Sequence, residues 1–572
     1  MKRLFAFLLI SCLPTSVLGQ HAYTVERVAQ APVDEWFYGI GDERNEYLSL
    51  APLGVFPEPP QGAVAKRNGG YVWAMAAVGD YLWFSSLSNG WCGWMMVTGQ
   101  FMPTHSSRWA CETFRSSYPD RAASDDVLPW PEGATVVQAD WRLPWIYRLN
   151  VNTREVQRVV SAHPTFTRIM ARSFGFRAAG SADGVVFMAS NPLVRNDESV
   201  FVLAFDGTTG AFIDGVQLRG YANVRRFRNV THANGDEAMY VFVGSEMHSS
   251  AHPNHLLRWV GSREQPFGGD GKGFEIVGDL GDAGSGVELL EHEGRFLLTT
   301  WGSETAAAGL YRSTPFPAGG FTALQPAKFE KVFDAADFDP DPVVAMSWLI
   351  GALEVFDGYV YWGSMHPNGQ GFQQLVMNSP SLLFSAREAI IKSHRATHVF
   401  RTRLGDKPKT ELLYGKEKLW VHRDGAWQQR SNRLEMKPLF GDAGFGASLN
   451  DYTWTMIKYR GSLYVGTFDV SGGLQVVRDE LDCQLSCYVL RTLADHVDLD
   501  AEEPGYDLYR FDDSVNPAVA VTRNGFANPA SNGVRNAFVV NSDLYIGTSS
   551  YSNLDVEQGG WELLKLRETH RE

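Results

Sequence analysis

Basic charge, long apolar runs and charged residues as a class are all in short supply in this chain. It carries 51 Lys and Arg against 65 Asp and Glu, a net charge of −14. That balance disfavours sequence-independent nucleic-acid binding, where basic side chains displace counterions from phosphates, and docking on anionic lipid. No run beyond the first twenty residues approaches the roughly 18 apolar residues of a membrane-spanning helix, so no transmembrane segment is expected. Only 20% of the residues are charged and 44% are hydrophobic, outside the range of disordered chains. What is plentiful is glycine, with 56 residues, and aromatic side chains, 13% of the chain. That composition leans toward an all-β protein with many tight turns. At about 100–200 residues per domain, 572 residues imply three to five domains unless a repeat makes one large one.

The N-terminus has the pattern of a signal peptide: Lys2-Arg3, an apolar stretch from Leu4 to Leu13, then Pro14 and a short segment ending Val17-Leu18-Gly19. Cleavage is expected before Gln20, leaving residues 20–572 as the folded domain and the product secreted or periplasmic. Loss of Lys2 and Arg3 takes the net charge to −16. Leu9-Ile10-Ser11-Cys12 also has the form of a lipoprotein box, which would instead anchor the protein through Cys12. In an oxidising compartment Cys92, Cys111, Cys483 and Cys487 form an even set. Proximity favours Cys92–Cys111 and Cys483–Cys487, although four cysteines allow three connectivities. Neither pair has the spacing of a zinc knuckle.

One short pattern recurs along the chain: a Gly or Asp turn, four or five alternating apolar and aromatic residues, then a small residue. It appears at Gly79–Ser85, Asp183–Ser190, Met239–Ser245, Gly294–Ser303, Asp357–Ser364, Arg460–Thr467 and Ser542–Thr548. Each instance follows another short apolar run, such as Tyr71–Met75 or Tyr452–Met456, so each pair reads as a β-hairpin. An outer pair of strands follows most of them, most clearly Trp145–Leu149 and Glu155–Val159. Four antiparallel strands repeated radially are the signature of a β-propeller. Seven units average about 79 residues, against about 40–50 in compact repeats. Anchor spacing places the excess in unit 1 (Ser88–Asp140), unit 5 (Gln373–His398) and unit 6 (Gly472–Gly505), the last two of helical composition. An additional hairpin over Lys416–Gln428 leaves eight blades as the alternative. The last unit ends with its third strand at Trp561–Leu566, and Tyr23–Val28 alternates suitably to be the missing fourth, which would shut the ring.

Arg460–Asp469 and Ser542–Ser549 carry the reading Gly-x-Leu-Tyr-Val-Gly-Thr or close to it. In this the chain resembles secreted bacterial β-propellers with second strands of that type. The resemblance implies a seven-bladed, single-domain architecture and no particular function, because propellers host lectins, lyases, oxidoreductases and scaffolds alike. Trp-Asp repeats, a kelch double glycine and a galactose-oxidase-like Tyr–Cys arrangement are all missing.

In such a ring, the loops after each second strand and before each first strand gather at one mouth of the central channel. That alignment collects Glu246, His248, Glu304, His366 and Asp469, with Asn89 and Trp91 from unit 1, and Arg225, Tyr452, Asn532 and Arg535 from first strands. Three readings compete. The His and carboxylate set suits a divalent metal, Ca, Cu, Zn or Mn, and two Met-His pairs point toward copper and a metal-dependent oxidoreductase. Alternatively His366 or His248 serves as general base, Tyr452 or Tyr551 as acid, and Arg225 or Arg535 holds an anionic group, giving a lyase or hydrolase. In the third, Trp73, Trp91, Trp94 and Trp454 stack on sugar rings of a bound polysaccharide or on a small molecule. Trp73 and Trp454 suit packing between blades equally well. His394 and His398 are spaced i, i+4 without the intervening acid of a zinc protease and are set aside. The expected function is binding an extracellular ligand at the mouth, a polysaccharide by preference, with its degradation as the enzymatic form of the same reading.

Overall fold

The computed structural model describes residues 22–38, 46–47, 62–88, 142–192, 199–245, 251–269, 272–479, 488–499, 502–554 and 557–569. The fold is all-β and mostly antiparallel. Its pairings group strands into successive four-stranded units, the arrangement of a β-propeller. Unit 1 comprises Gly69–Val78, Tyr81–Ser88, Ile146–Asn150 and Val156–Arg158. Unit 2 comprises Ser173–Ala182, Val185–Pro192, Ser199–Asp206 and Phe212–Arg219. Unit 3 comprises Asn223–Thr231, Glu237–Gly244, His255–Trp259 and Phe274–Asp279. Unit 4 comprises Ser285–His292, Arg295–Trp301, Gly309–Ser313 and Phe329–Asp334. Unit 5 comprises Leu349–Phe356, Tyr359–Met365, Val399–Arg403 and Lys409–Tyr414. Unit 6 comprises Asn450–Tyr459, Ser462–Asp469, Leu508–Phe511 and Val519–Thr522. Unit 7 comprises Ser531–Val540, Asp543–Ser550 and Glu562–Thr569, against which the N-terminal strand Ala22–Gln30 pairs antiparallel as the fourth. The first strand of each unit lies beside that of the next, and that of unit 7 beside that of unit 1.

The turns between first and second strands explain the Asp-Gly and Arg-Gly pairs of the repeat. Asp357-Gly358 and Arg460-Gly461 have positive φ at both residues, the condition for a two-residue turn whose twist matches the flanking strands. The small residue near the end of strand two has a different cause. A Cβ on Gly363, Gly466 or Gly547 would stand 2.4–2.5 Å from Thr453, Val534 or Val72 on the first strand of the following unit. Glycine there lets neighbouring units close on one another. Side chains then tie the seams: Ser85 Oγ donates to Phe176 O at 2.6 Å, and Asn536 Nδ2 donates to Val72 O and Trp73 O at 2.9 and 2.8 Å.

Every first strand also breaks register at the same place. The pairing slips between Val72 and Ala74, Phe176 and Ala178, Val224 and Phe227, Gly286 and Leu289, Ile350 and Leu353, Thr453 and Thr455, and Val534 and Asn536. Each slip is a β-bulge, which frees a residue from the ladder and re-aims its side chain.

The units 5 and 6 insertions are helical as expected, with Gln370–Asn378 and Ala386–Ser393 in the former and Ser471–Asp479 and Tyr488–Ala494 in the latter. Their apolar faces, including Leu474, Val477, Leu490 and Leu493, join one core cluster with Tyr71, Trp73, Phe174, Trp301, Leu349 and Trp454 from the inner strands. The expected insertion of unit 1 falls in residues 89–141, outside the described residues. The additional hairpin is real, pairing Lys418–Arg423 with Ala426–Ser431 in a separate two-stranded sheet. It gains no third strand among the described residues and instead braces the unit 5 insertion, with Lys392 Nζ 4.1 Å from the Trp420 ring. A small sheet of Glu35–Tyr38, Glu46–Tyr47 and Val64–Lys66, unforeseen in the repeat pattern, precedes unit 1.

Candidate functional site

The residues freed by the bulges are Trp73 in unit 1, Arg177 in unit 2, Arg225 and Arg226 in unit 3, Val287 and Glu288 in unit 4, Gly351 and Ala352 in unit 5, Trp454 in unit 6 and Arg535 in unit 7. The aromatic and arginine side chains among them come close to one another. The Arg177 guanidinium lies 5.3 Å from the Trp73 ring and 4.7 Å from Trp301, and Arg225 lies 4.6 Å from the same Trp301 ring. Arg535 lies 5.3 Å from Trp454, whose edge meets Tyr71 at 5.8 Å. Asn223 accepts from Arg177 at 3.0 Å and donates to Ser285 Oγ at 3.0 Å, linking units 2, 3 and 4.

This lining is strongly basic. Glu288 supplies the carboxylate, and both its oxygens are taken by Arg226, at 2.8 Å to Nε and 3.1 Å to the second nitrogen. Arg225 and Arg535 make no ion pair among the described residues, and Arg535 Nε is buried without a hydrogen-bond partner there. Burial, reinforced by the charges of Arg177 and Arg226, pulls Arg535 down to about 9. Burial and the charges of Arg177 and Arg535 hold Arg225 well below the usual guanidinium range. Aromatic faces give partial compensation through cation–π contact.

A second group sits where units 5 and 6 meet the helices. Asp451 is fully buried, and neither carboxyl oxygen has a hydrogen-bond partner among the described residues. His394 Nε2 stands 3.7 Å from Asp451 Oδ1 and donates to Ser448 O at 3.0 Å. His366 is held through Nε2 to Ser364 Oγ at 2.8 Å and through its backbone N–H to Asp451 O at 3.0 Å. Burial raises Asp451, helped by the charge of Asp469, and burial lowers His394 and His366. Burial thus disfavours the charged form of both the carboxyl and the imidazole, and the His394 Nε2–H nearest Asp451 is committed to Ser448 O. Ser347, His366, His394 and Arg395 line a cavity of about 10 Å³, the room of one water. Arg395 is itself fixed by a fully buried ion pair to Asp339 at 3.1 Å.

The structure thus brings Arg225, Arg535, Trp73, Trp454 and Tyr452 into one lining, with Tyr452 stacked on Phe468 at 4.7 Å. Trp73 and Trp454 also pack between units. Asn532 faces inward as support, its Oδ1 accepting from Ser549 Oγ at 2.6 Å, and Tyr551 donates to Pro529 O at 2.7 Å. Of the metal-ligand set, Glu304 is exposed, whereas His366 and Asp469 are buried, Asp469 accepting from Ser471 N at 2.9 Å. No three His, Cys, Asp or Glu side chains gather to hold a metal ion among the described residues. Glu246, His248, Asn89, Trp91, Trp94, Cys92, Cys111, Cys483, Cys487 and the signal segment lie outside the described residues. Sequence reasoning missed Arg177, Trp301 and Glu288 and set aside His394. The signal for Arg177 was present: Gly175-Phe176-Arg177 and Gly533-Val534-Arg535 share one Gly-x-Arg spacing at equivalent places in units 2 and 7.

No protein-family model matches the chain, and no curated protein matches it. Solved structures that resemble it include a puromycin hydrolase at 10% identity and a TM-score of 0.40, covering 88% of this chain and 55% of that one. The chain therefore spans about half the length of that hydrolase. The hydrazine synthase of Kuenenia stuttgartiensis is similar at 10% identity and a TM-score of 0.40, covering 91% of this chain and all of that one. The Dos1 propeller is similar at 8% identity and a TM-score of 0.37, covering 87% and 93%. Likeness this distant assigns no chemistry to the chain.

Proposed function

We propose that the chain is an exported, single-domain β-propeller of seven blades, closed by its terminal strands, that binds a polysaccharide or small-molecule ligand at its central channel. The observation that carries this reading is the convergence of Trp73, Trp301, Trp454, Arg225 and Arg535 from five units onto one lining. Aromatic faces beside fixed hydrogen-bond donors form the usual pairing in sites that hold sugars or other partly polar ligands.

Affinity electrophoresis of the purified protein through gels containing neutral or acidic polysaccharides tests it. Retardation by at least one polymer is expected. It should weaken about tenfold in Tyr452→Ala, which removes a half-buried ring from the lining, while circular dichroism stays unchanged. Equal mobility of both proteins in every gel would overturn the reading. Incubating the retained polymer with protein and counting new reducing ends tells binding from cleavage.

A further inference from the structure

We propose that Arg225 and Arg535, reaching the channel from units 3 and 7, form a binding site for an oxyanion, the carboxylate or sulfate of an acidic ligand. The inference rests on ligand binding at the channel and names the chemistry of what binds there.

Among the described residues the guanidinium groups of Arg177, Arg225, Arg226 and Arg535 come together around the carboxylate of Glu288, with Glu354 acting on Arg226 from further off. Arg226 engages both Glu288 oxygens. Arg225 and Arg535 therefore remain without a counter-charge among the described residues, although they are only 7% and 4% exposed. A buried charge is costly unless it is paired and hydrogen-bonded, so a fold that keeps two of them together gains from any anion that enters. Arg535 Nε has no hydrogen-bond partner among the described residues. Trp301 and Trp454 occupy guanidinium faces, which leaves in-plane N–H donors for a planar two-oxygen partner. Carboxylate and sulfate fit that fork, whereas chloride matches it poorly. Burial first, and then repulsion from neighbouring arginines, depress both groups, and a bound oxyanion offsets both. The tryptophan walls add a face on which the sugar ring of a uronic acid or sulfated sugar rests.

Thermal unfolding at fixed ionic strength provides the test, with millimolar sodium chloride replaced by sodium sulfate or by digalacturonate, and galactobiose as the uncharged arm. The wild-type midpoint should rise with sulfate, digalacturonate or both, and stay level with galactobiose. A larger shift with digalacturonate identifies an acidic sugar as the source of the anion, and a shift with sulfate alone identifies a free inorganic anion. Arg225→Gln and Arg535→Gln should each weaken the anion response at least tenfold in concentration. Arg535→Gln should also raise the midpoint in chloride, because it removes an unpaired charge. Arg430→Gln, on the exposed hairpin, should respond as wild type. An unchanged anion response in the Arg225→Gln/Arg535→Gln double variant would overturn the site. Galactobiose or a neutral polymer binding through Tyr452 in that same outcome would leave channel binding standing. No retardation by any polymer would remove the channel reading, and the sulfate arm would then decide on the arginines alone.

Discussion

Gly533 makes room for Trp454: a Cβ at that glycine would stand 2.4 Å from the indole ring. Gly175 bears the same relation to Trp73, at 2.6 Å. Two residues beyond each glycine the strand carries an arginine, Arg535 or Arg177, whose guanidinium lies 5.3 Å from that tryptophan. Units 6 and 7 therefore meet as units 1 and 2 do. Gly533→Ala should destabilise the protein by about 1–3 kcal/mol, the cost of overpacking, read as a lower urea midpoint with an unchanged slope. A neutral Gly533→Ala would show that the seam yields to a methyl group.

The Arg226–Glu288 pair gives an asymmetric expectation. Glu288→Gln takes the carboxylate from Arg226 in a place already crowded by the charges of Arg177, Arg225 and Arg535, whereas Arg226→Gln removes a positive charge from the same place. Glu288→Gln should therefore be the more destabilising by about 1–3 kcal/mol. Chemical denaturation of both variants decides it, and equal losses would contradict the charge imbalance.

His398 should shape stability in acid. Burial lowers it to about 3, with the charges of Arg395 and Lys416 adding to the effect. Between pH 3 and 6.5 the unfolded chain binds the proton and the folded one does not, so stability rises with pH across that window and is lost on acidification. Asp507, held up to about 6 by burial, contributes the opposite slope below pH 6, so the comparison is made against wild type at each pH. His398→Gln should flatten the rise by up to about 1.4 kcal/mol per pH unit, measured by denaturation from pH 4 to 7. A slope equal to wild type would show that His398 is protonated in the folded state.

Asp451→Asn should act the other way. The folded carboxyl is raised by burial and by Asp469, and His394 is the titratable group facing it at 3.7 Å. Its folded value exceeds the unfolded one, so wild type loses stability as pH climbs above about 4. The amide removes that loss, and Asp451→Asn should melt higher than wild type at pH 7. A lower melting temperature would mean that the charged form is what the site holds.

Deleting residues 22–30 should expose the outer edge of Glu562–Thr569 and remove the Arg27–Glu562 ion pair, 3.0 Å long. Unpaired edges invite association. Size-exclusion chromatography should show aggregates, and the remaining monomer should unfold over a broader range of urea than the full chain.

The periodic parts of this molecule were legible because they depend on local chemistry. Asp-Gly turns, alternating strands, small residues such as Gly466 and the helical composition of Ala386–Ser393 each carry their own signature. The terminal pairing was legible too, since Tyr23–Val28 alternates and the last unit lacked a strand. The bulges were not, because register is a property of two strands together, and the residues they free range from Trp73 and Trp454 through Arg177 and Arg535 to Gly351, with no one residue type marking the position. Arg177 looked like one more residue of a strand until its neighbours Trp73 and Trp301 arrived from other units. His394 and Asp451 likewise lie far apart in sequence, and the spacing rule that set His394 aside addressed metal ligands, whereas its partner is a carboxyl from another unit.

The pairing of Ala22–Gln30 with Glu562–Thr569 joins residues such as Arg27 and Glu562, which are 535 positions apart. Closing so long a loop is entropically costly and slow compared with forming local hairpins. The six units between can form as the chain emerges, but the last sheet must wait for both ends. Until then the strand Glu562–Thr569 has no outer partner, and that interval is when the protein is most open to proteolysis and to mispairing with a second chain.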